Sequence, residues 1–163
     1  MSSRRFVCAV DNISRACGVI ATILLIIAMA VVCQMIVMRY VFRAATVWQT
    51  EAVVFCATAA IFLGAPYVLL KKGHVGVDVI PTMVTARTRL QLERIGAIFG
   101  LIFSLIMMVA TAIHLLEAIE GDWTTPSVAA VPLWMPLTPM LMGFLLLGLQ
   151  YLAELTKLFG AQP

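Results

Sequence analysis

Four stretches of this chain carry no Asp, Glu, Lys or Arg: Ala16–Met38, Ala52–Leu70, Ile95–Leu116 and Trp123–Ala153, of 23, 19, 22 and 31 residues. A helix needs about 20 apolar residues to cross the hydrocarbon core of a bilayer. In lipid each backbone N–H and C=O must be paired within its own segment, and uninterrupted apolar runs achieve this only as α-helices. A transmembrane β-barrel would show alternating segments of about ten residues instead. The pattern predicts an all-α integral membrane protein: one four-span domain over residues 1–163, with transmembrane helices near 16–38, 50–70, 95–117 and 135–157.

The last run is too long for one crossing. Pro126, Pro132, Pro136 and Pro139 crowd its first half, so that half is expected as loop or broken helix. The continuous helix should begin between Pro132 and Pro139, leaving Trp123 and Trp134 at the interface, where tryptophan is enriched. Between spans two and three, His74, Gly76 and Asp78 alternate with Val75, Val77 and Val79. A period of two suggests an extended or re-entrant piece. From Thr82 to Arg94 the composition is that of an interfacial helix, with Arg87, Gln91 and Arg94 at helical spacing.

Polar residues inside the runs suggest packing. Gln34 is the one strongly polar side chain of span one and is expected to face another helix. Gly96, Gly100 and Ser104 fall four residues apart, a spacing of small residues that allows close helix approach. Pro66 removes a backbone donor and is expected to kink the end of span two.

Composition reinforces the pattern: 63% of residues are hydrophobic, 12% are charged, and mean hydropathy is +1.04. No room remains for a separate soluble domain. The basic residues set orientation. Nine of the 11 lie before span one, between spans two and three, or after span four; only Arg39 and Arg43 lie on the other side. Short cytoplasmic loops are enriched in Lys and Arg, so both termini are expected in the cytoplasm. The net charge of +3 then requires no nucleic-acid partner. The first run exceeds a signal-peptide core and lacks a small-x-small cleavage site, so it is read as retained.

Chemistry is harder to find. No ionisable residue lies at mid-depth, where a proton or cation carrier would place one. The cysteines, Cys8, Cys17, Cys33 and Cys56, form no C-x-x-C pair; this argues against a quinone-linked disulfide oxidoreductase. His74 and His114 are expected near opposite faces, which disfavours a shared haem. Glu51 should open span two, where the helix N-terminus favours a carboxylate. It is either a solvated cap or a partner of Arg39 or Arg43. Arg39 and Tyr40 anchor span one at the interface, and Trp48 lies in the same belt.

Arg39-Tyr40-Val41-Phe42, then Trp48 and Glu51, Gly64, Lys72-Gly73-His74-Val75 with Val77 and Asp78, and Pro132-x-Trp134 with Pro139 and Gly143 follow one another in a four-span frame. Together they resemble the small membrane subunit (DctQ-like) of tripartite ATP-independent periplasmic (TRAP) transporters. Two positions depart: Arg43 stands where the family often has Asn, and Thr50 precedes Glu51 where an acidic pair is common. The resemblance implies a non-catalytic scaffold subunit in the bacterial inner membrane. A large membrane subunit would carry the substrate and sodium sites, and a periplasmic binding protein would capture an organic acid. No cofactor or metal is implied for this chain. The interface candidates are Arg39, Tyr40, Trp48, Glu51, His74, Asp78 and Trp134. Phe42–Glu51 and Glu120–Met135 are candidate docking loops for the binding protein. The competing reading is an independent four-helix redox or haem protein, or a self-contained exporter.

Overall fold

Each apolar run lies in a longer helix, and the overruns shape the molecule. The computed structural model describes residues 2–71 and 86–160. Its helices are α1 (Ser2–Tyr40), α2 (Trp48–Leu70), α3 (Ala86–Glu120) and α4 (Trp134–Gly160). All four are long and apolar enough to span a membrane. At about 1.5 Å per residue, α1 extends about 58 Å and α3 about 52 Å. The hydrocarbon core is only about 30 Å thick. The excess of α1 precedes Ala16 and that of α3 precedes Ile95.

Cross-helix neighbours fix the directions. Gly18 lies against Tyr67 and Gly64 against Ala21, so α1 and α2 are antiparallel. Gly100 meets Tyr151, Gly148 meets Ser104, and Arg94 reaches Leu158, so α3 and α4 are antiparallel. Ser14 bonds Gln150 and Lys157 pairs with Asp11, so α1 also opposes α4. The helices therefore alternate in direction, and α1 and α3 overrun at the same end. Helix α4 packs against all three others, whereas α3 packs against α4 alone among the described helices.

Small residues line the seams. Lipid tails are as apolar as Leu, so helices gain little by hiding apolar surface from them and associate through close packing. On α1 the buried positions include Ser14, Cys17, Ala21 and Ala28. On α3 they are Ala97, Ser104, Thr111 and Ala118, each seven residues after the last. A seven-residue repeat keeps one stripe of a helix on its partner. Gly143 marks the closest approach: a Cβ there would lie 2.5 Å from the Phe62 carbonyl oxygen of α2. Beside it Phe144 packs against Phe62, with ring centroids 5.1 Å apart, and against Phe103, at 6.4 Å. One aromatic ring thus ties α2 and α3 to α4. Pro66 is fully buried within α2.

Two expectations change, and a third lies partly outside the described residues. Gln34 faces outward, exposed on α1 among apolar neighbours, rather than toward another helix. The close-packing stripe of α3 is the 97/104/111/118 series, because a helical register drifts across a four-residue spacing. Ser104 and Gly100 face α4, but a Cβ on Gly96 would touch nothing within 4 Å. The expected interfacial helix at Thr82–Arg94 falls partly outside the described residues. From Ala86 onward the chain runs without a break into the third span.

Candidate functional site

The polar groups collect at the two ends of the bundle. At one end lie the α1–α2 link and the α3–α4 loop. Helix α3 closes with Asp122 in a left-handed conformation (φ 47°). Trp123 N–H bonds the Ala118 carbonyl at 3.0 Å and Asp122 N–H bonds that of Ile119 at 3.4 Å. This pairing of carbonyls left open by the helix is a Schellman cap. The chain then folds back on itself. Thr125 N–H bonds the Val131 carbonyl at 2.8 Å, and Leu133 N–H bonds that of Trp123 at 2.9 Å. Residues 123–133, with Pro126 and Pro132, are thus a tight loop, and α4 opens at Trp134 with Pro136 and Pro139 within it.

This loop reaches Glu51 in the first turn of α2. Thr125 Oγ1 donates to Glu51 Oε1 at 3.0 Å, and Ser127 donates to the same oxygen. Thr125 Oγ1 also accepts from Val131 N–H at 3.1 Å, so one hydroxyl both shapes the loop and fastens it to α2. Neither arginine expected as a partner pairs with this carboxylate among the described residues. Arg39 Nε instead donates to Thr46 Oγ1 at 2.9 Å, within its own link. The hydroxyl-rich loop takes the place the arginines were expected to fill. Among the described residues, the buried Glu51 Oε2 has no hydrogen-bond partner, and neither has Oε1 of nearby Gln49.

The other candidates scatter. Tyr40 is 82% exposed, and Trp48 and Trp134 are also exposed, at the first positions of α2 and α4. His74 and Asp78 lie outside the described residues. His114 Nδ1 sits 3.8 Å from Glu117 Oε2, with its ring edge-on to Trp123. Among the described residues, no three His, Cys, Asp or Glu side chains gather as a metal site. Thr125 and Ser127 escaped sequence reasoning because hydroxyls in a proline-rich loop carry no periodic signal.

At the opposite end is a network that sequence reasoning also missed. Gln150 is fully buried in α4; its Oε1 accepts from Ser14 Oγ at 2.7 Å and its Nε2 donates to Asp11 Oδ1 at 3.1 Å. Lys157 Nζ lies 3.0 Å from Asp11 and 2.8 Å from Glu154. Five side chains thus join the first turns of α1 to the last turns of α4. The available signal was Asp11 and Ser14 one turn apart, with Gln150 alone inside an apolar run. Next to it, Arg94 of α3 donates to the Leu158 carbonyl at 3.0 Å and stacks on Phe159 at 5.0 Å, closing the end of α4.

Among the described residues, neither end assembles a nucleophile with a base, and the polar groups between the helices hold helices together. Likeness to known proteins fits that arrangement. No curated protein and no solved structure matches the chain. A family model, that of the DctQ component of tripartite ATP-independent periplasmic transporters, matches residues 28–160. That match covers most of the sequence and takes in Glu51, the Thr125–Ser127 loop and Gln150, while Asp11, Ser14 and Arg15 precede it. The chain belongs to the DctQ component family of the TRAP transporters.

Proposed function

We propose that this protein is the non-catalytic scaffold subunit of a sodium-coupled importer of an organic acid. It would work with a large membrane subunit and a periplasmic binding protein, in the bacterial inner membrane with both termini cytoplasmic. The family match across residues 28–160 carries this reading. The absence of Asp, Glu, Lys and Arg from the centres of all four apolar runs supports it: a substrate and its sodium ions would be bound elsewhere, in the large subunit. The outward apolar side chains of α3, such as Ile102, Ile106, Val109 and Ile113, suit lipid or a partner helix.

Copurification tests the reading. Tagged and extracted in mild detergent with its neighbouring gene products, the chain is expected to elute with a large multispan protein. Elution alone, with a haem absorbance or with transport by the isolated chain, would refute it. Orientation has a separate readout. With the four native cysteines replaced, Thr124→Cys should react with an impermeant thiol reagent from the periplasm, and Thr88→Cys only after the cells are opened. Both positions are exposed.

A further inference from the structure

An open groove of about 420 Å³ lies between α1 and α2 at the end where α1 begins, lined by Arg15, Gly18, Val19, Thr22, Tyr67 and Lys71. The helix register sets its composition. Gly18 faces Tyr67, Gly64 faces Ala21 and Thr50 reaches Met35. Continued toward the helix ends, this antiparallel pairing brings Arg15 level with Leu70 and Lys71. Two cations from two helices therefore stand at the same height beside the cleft. Gly18 makes the cleft: a Cβ there would lie 2.5 Å from Cγ of the Tyr67 ring, so only a glycine lets the ring lie against α1.

Among the described residues neither cation is neutralised. Arg15 and Lys71 form no ion pair with any described residue, and Lys71 Nζ rests 5.9 Å from the Tyr67 ring centroid. The nearest carboxylate along α1, Asp11, is taken up by Lys157 and Gln150 on the α4 side. Arg15 also begins the transition to apolar sequence, since Ala16 opens the first uncharged run. With that run spanning the bilayer, the charges would stand where the headgroup layer meets the hydrocarbon, and Val19 and Thr22 would continue the groove into the acyl region. Basic pockets between transmembrane helices at this depth hold anionic headgroups.

We propose that this groove binds one anionic phospholipid, its phosphate between Arg15 and Lys71 and an acyl chain along Val19 and Thr22. The leaflet, though not the headgroup chemistry, rests on the orientation proposed above. Arg15, Gly18, Val19 and Thr22 precede the family-matched segment, whereas Tyr67 and Lys71 lie within it.

The test uses the full chain with whatever subunits copurify, exchanged into micelles containing equal phosphatidylglycerol and phosphatidylcholine. Native mass spectrometry reads the lipid retained. The native protein should keep phosphatidylglycerol in preference. R15Q/K71Q should lose that preference about thirtyfold, as expected for two cations near a headgroup. R15K/K71R should keep it, and so should R4Q/R5Q, which removes the same charge elsewhere on α1. Val19→Trp retains both cations and fills the groove, and should also release the lipid. Equal retention of the two lipids by the native protein would overturn the proposal. So would unchanged preference in R15Q/K71Q or in Val19→Trp. Each of these outcomes is independent of whether a large subunit copurifies.

Discussion

Where α1 begins and α4 finishes, Asp11, Ser14, Gln150, Glu154 and Lys157 form a connected network joining the two helices. At the loop end Glu51 shares one oxygen between two hydroxyls, while its second oxygen and Gln49 Oε1 are buried without partners among the described residues. Backbone strain follows the same division. Arg43, Asp122 and Ala130, the non-glycine residues with positive φ among those described, all belong to the loop end. Strained conformations and unsatisfied acceptors persist where surrounding structure or a partner compensates for them. The Asp11–Gln150–Lys157 network is thus closed on itself, while the Glu51 cluster keeps polar capacity unspent. The difference predicts that the network serves the fold and that the Glu51 cluster is open to a partner.

The strongest way to break that assignment is to cut the closed end. Lys157→Met leaves Asp11 and Glu154, with side chains 20% and 16% exposed, facing each other without a cation. Uncompensated buried charge costs about 3 kcal/mol. The thermal midpoint in detergent should fall accordingly, and D11N/K157M should recover part of the loss, because it removes the repulsion between Asp11 and Glu154 while still leaving Glu154 without its cation. An unchanged midpoint in Lys157→Met would mean the network is incidental to stability.

Gln150→Leu should cost somewhat less, about 2 kcal/mol, since it strands the Ser14 hydroxyl and takes one donor from Asp11. Lys157 still holds Asp11 in this variant, so its loss should be smaller than that of Lys157→Met in the same melt. A larger loss would make the amide, rather than the ion pair, the centre of the network.

The apolar frame is legible in the amino-acid sequence, and these polar details are not. Span length and charge-free runs depend on one physical constraint, the hydrocarbon thickness, which acts on sequence directly. The position of α4 after Pro132 can be read for a similar reason, since prolines restrict where a helix can continue. Packing partners depend on rotation about the helix axis, which α1 does not declare: Gln34, its most polar apolar-run residue, faces outward, while Ser14 and Cys17 face in. The partners of Glu51 depend on a loop returning from 74 and 76 residues away, and no local pattern encodes that.

A smaller effect sharpens the loop end. Arg43 sits at φ 51°, and Ala44 N–H closes the end of α1 onto the Met38 carbonyl at 3.1 Å. The left-handed conformation costs an ordinary L-residue roughly 1–2 kcal/mol and a glycine little. Asn tolerates the left-handed conformation better than Arg. Arg43→Gly should raise stability by about 1 kcal/mol after glycine's greater chain entropy is subtracted. No gain in the unfolding midpoint would show that Arg43 already has compensating contacts.

The smallest effect on folding is expected at Glu51, and there the comparison is most exposed to failure. Glu51→Gln keeps the oxygen that accepts from Thr125 and Ser127, so the loop should stay fastened to α2. It replaces the buried, unpartnered oxygen with an amide and removes a charge, changes that offset each other within about 0.5 kcal/mol, as for most substitutions outside the core. If that oxygen is held in reserve for a donor on another subunit, the variant should fold like the native protein yet lose assembly or substrate uptake. A cation on the partner would distinguish the carboxylate from the amide most sharply, because charge-assisted hydrogen bonds are about twice as strong as neutral ones. Measuring the melt, the yield of copurified partner and uptake on the same preparation separates the possibilities. A destabilised Glu51→Gln would place the carboxylate among the residues that hold the fold, and the two ends would no longer differ in kind. Normal stability with normal assembly and uptake would make Glu51 a fastening for the loop alone, with no role toward a partner.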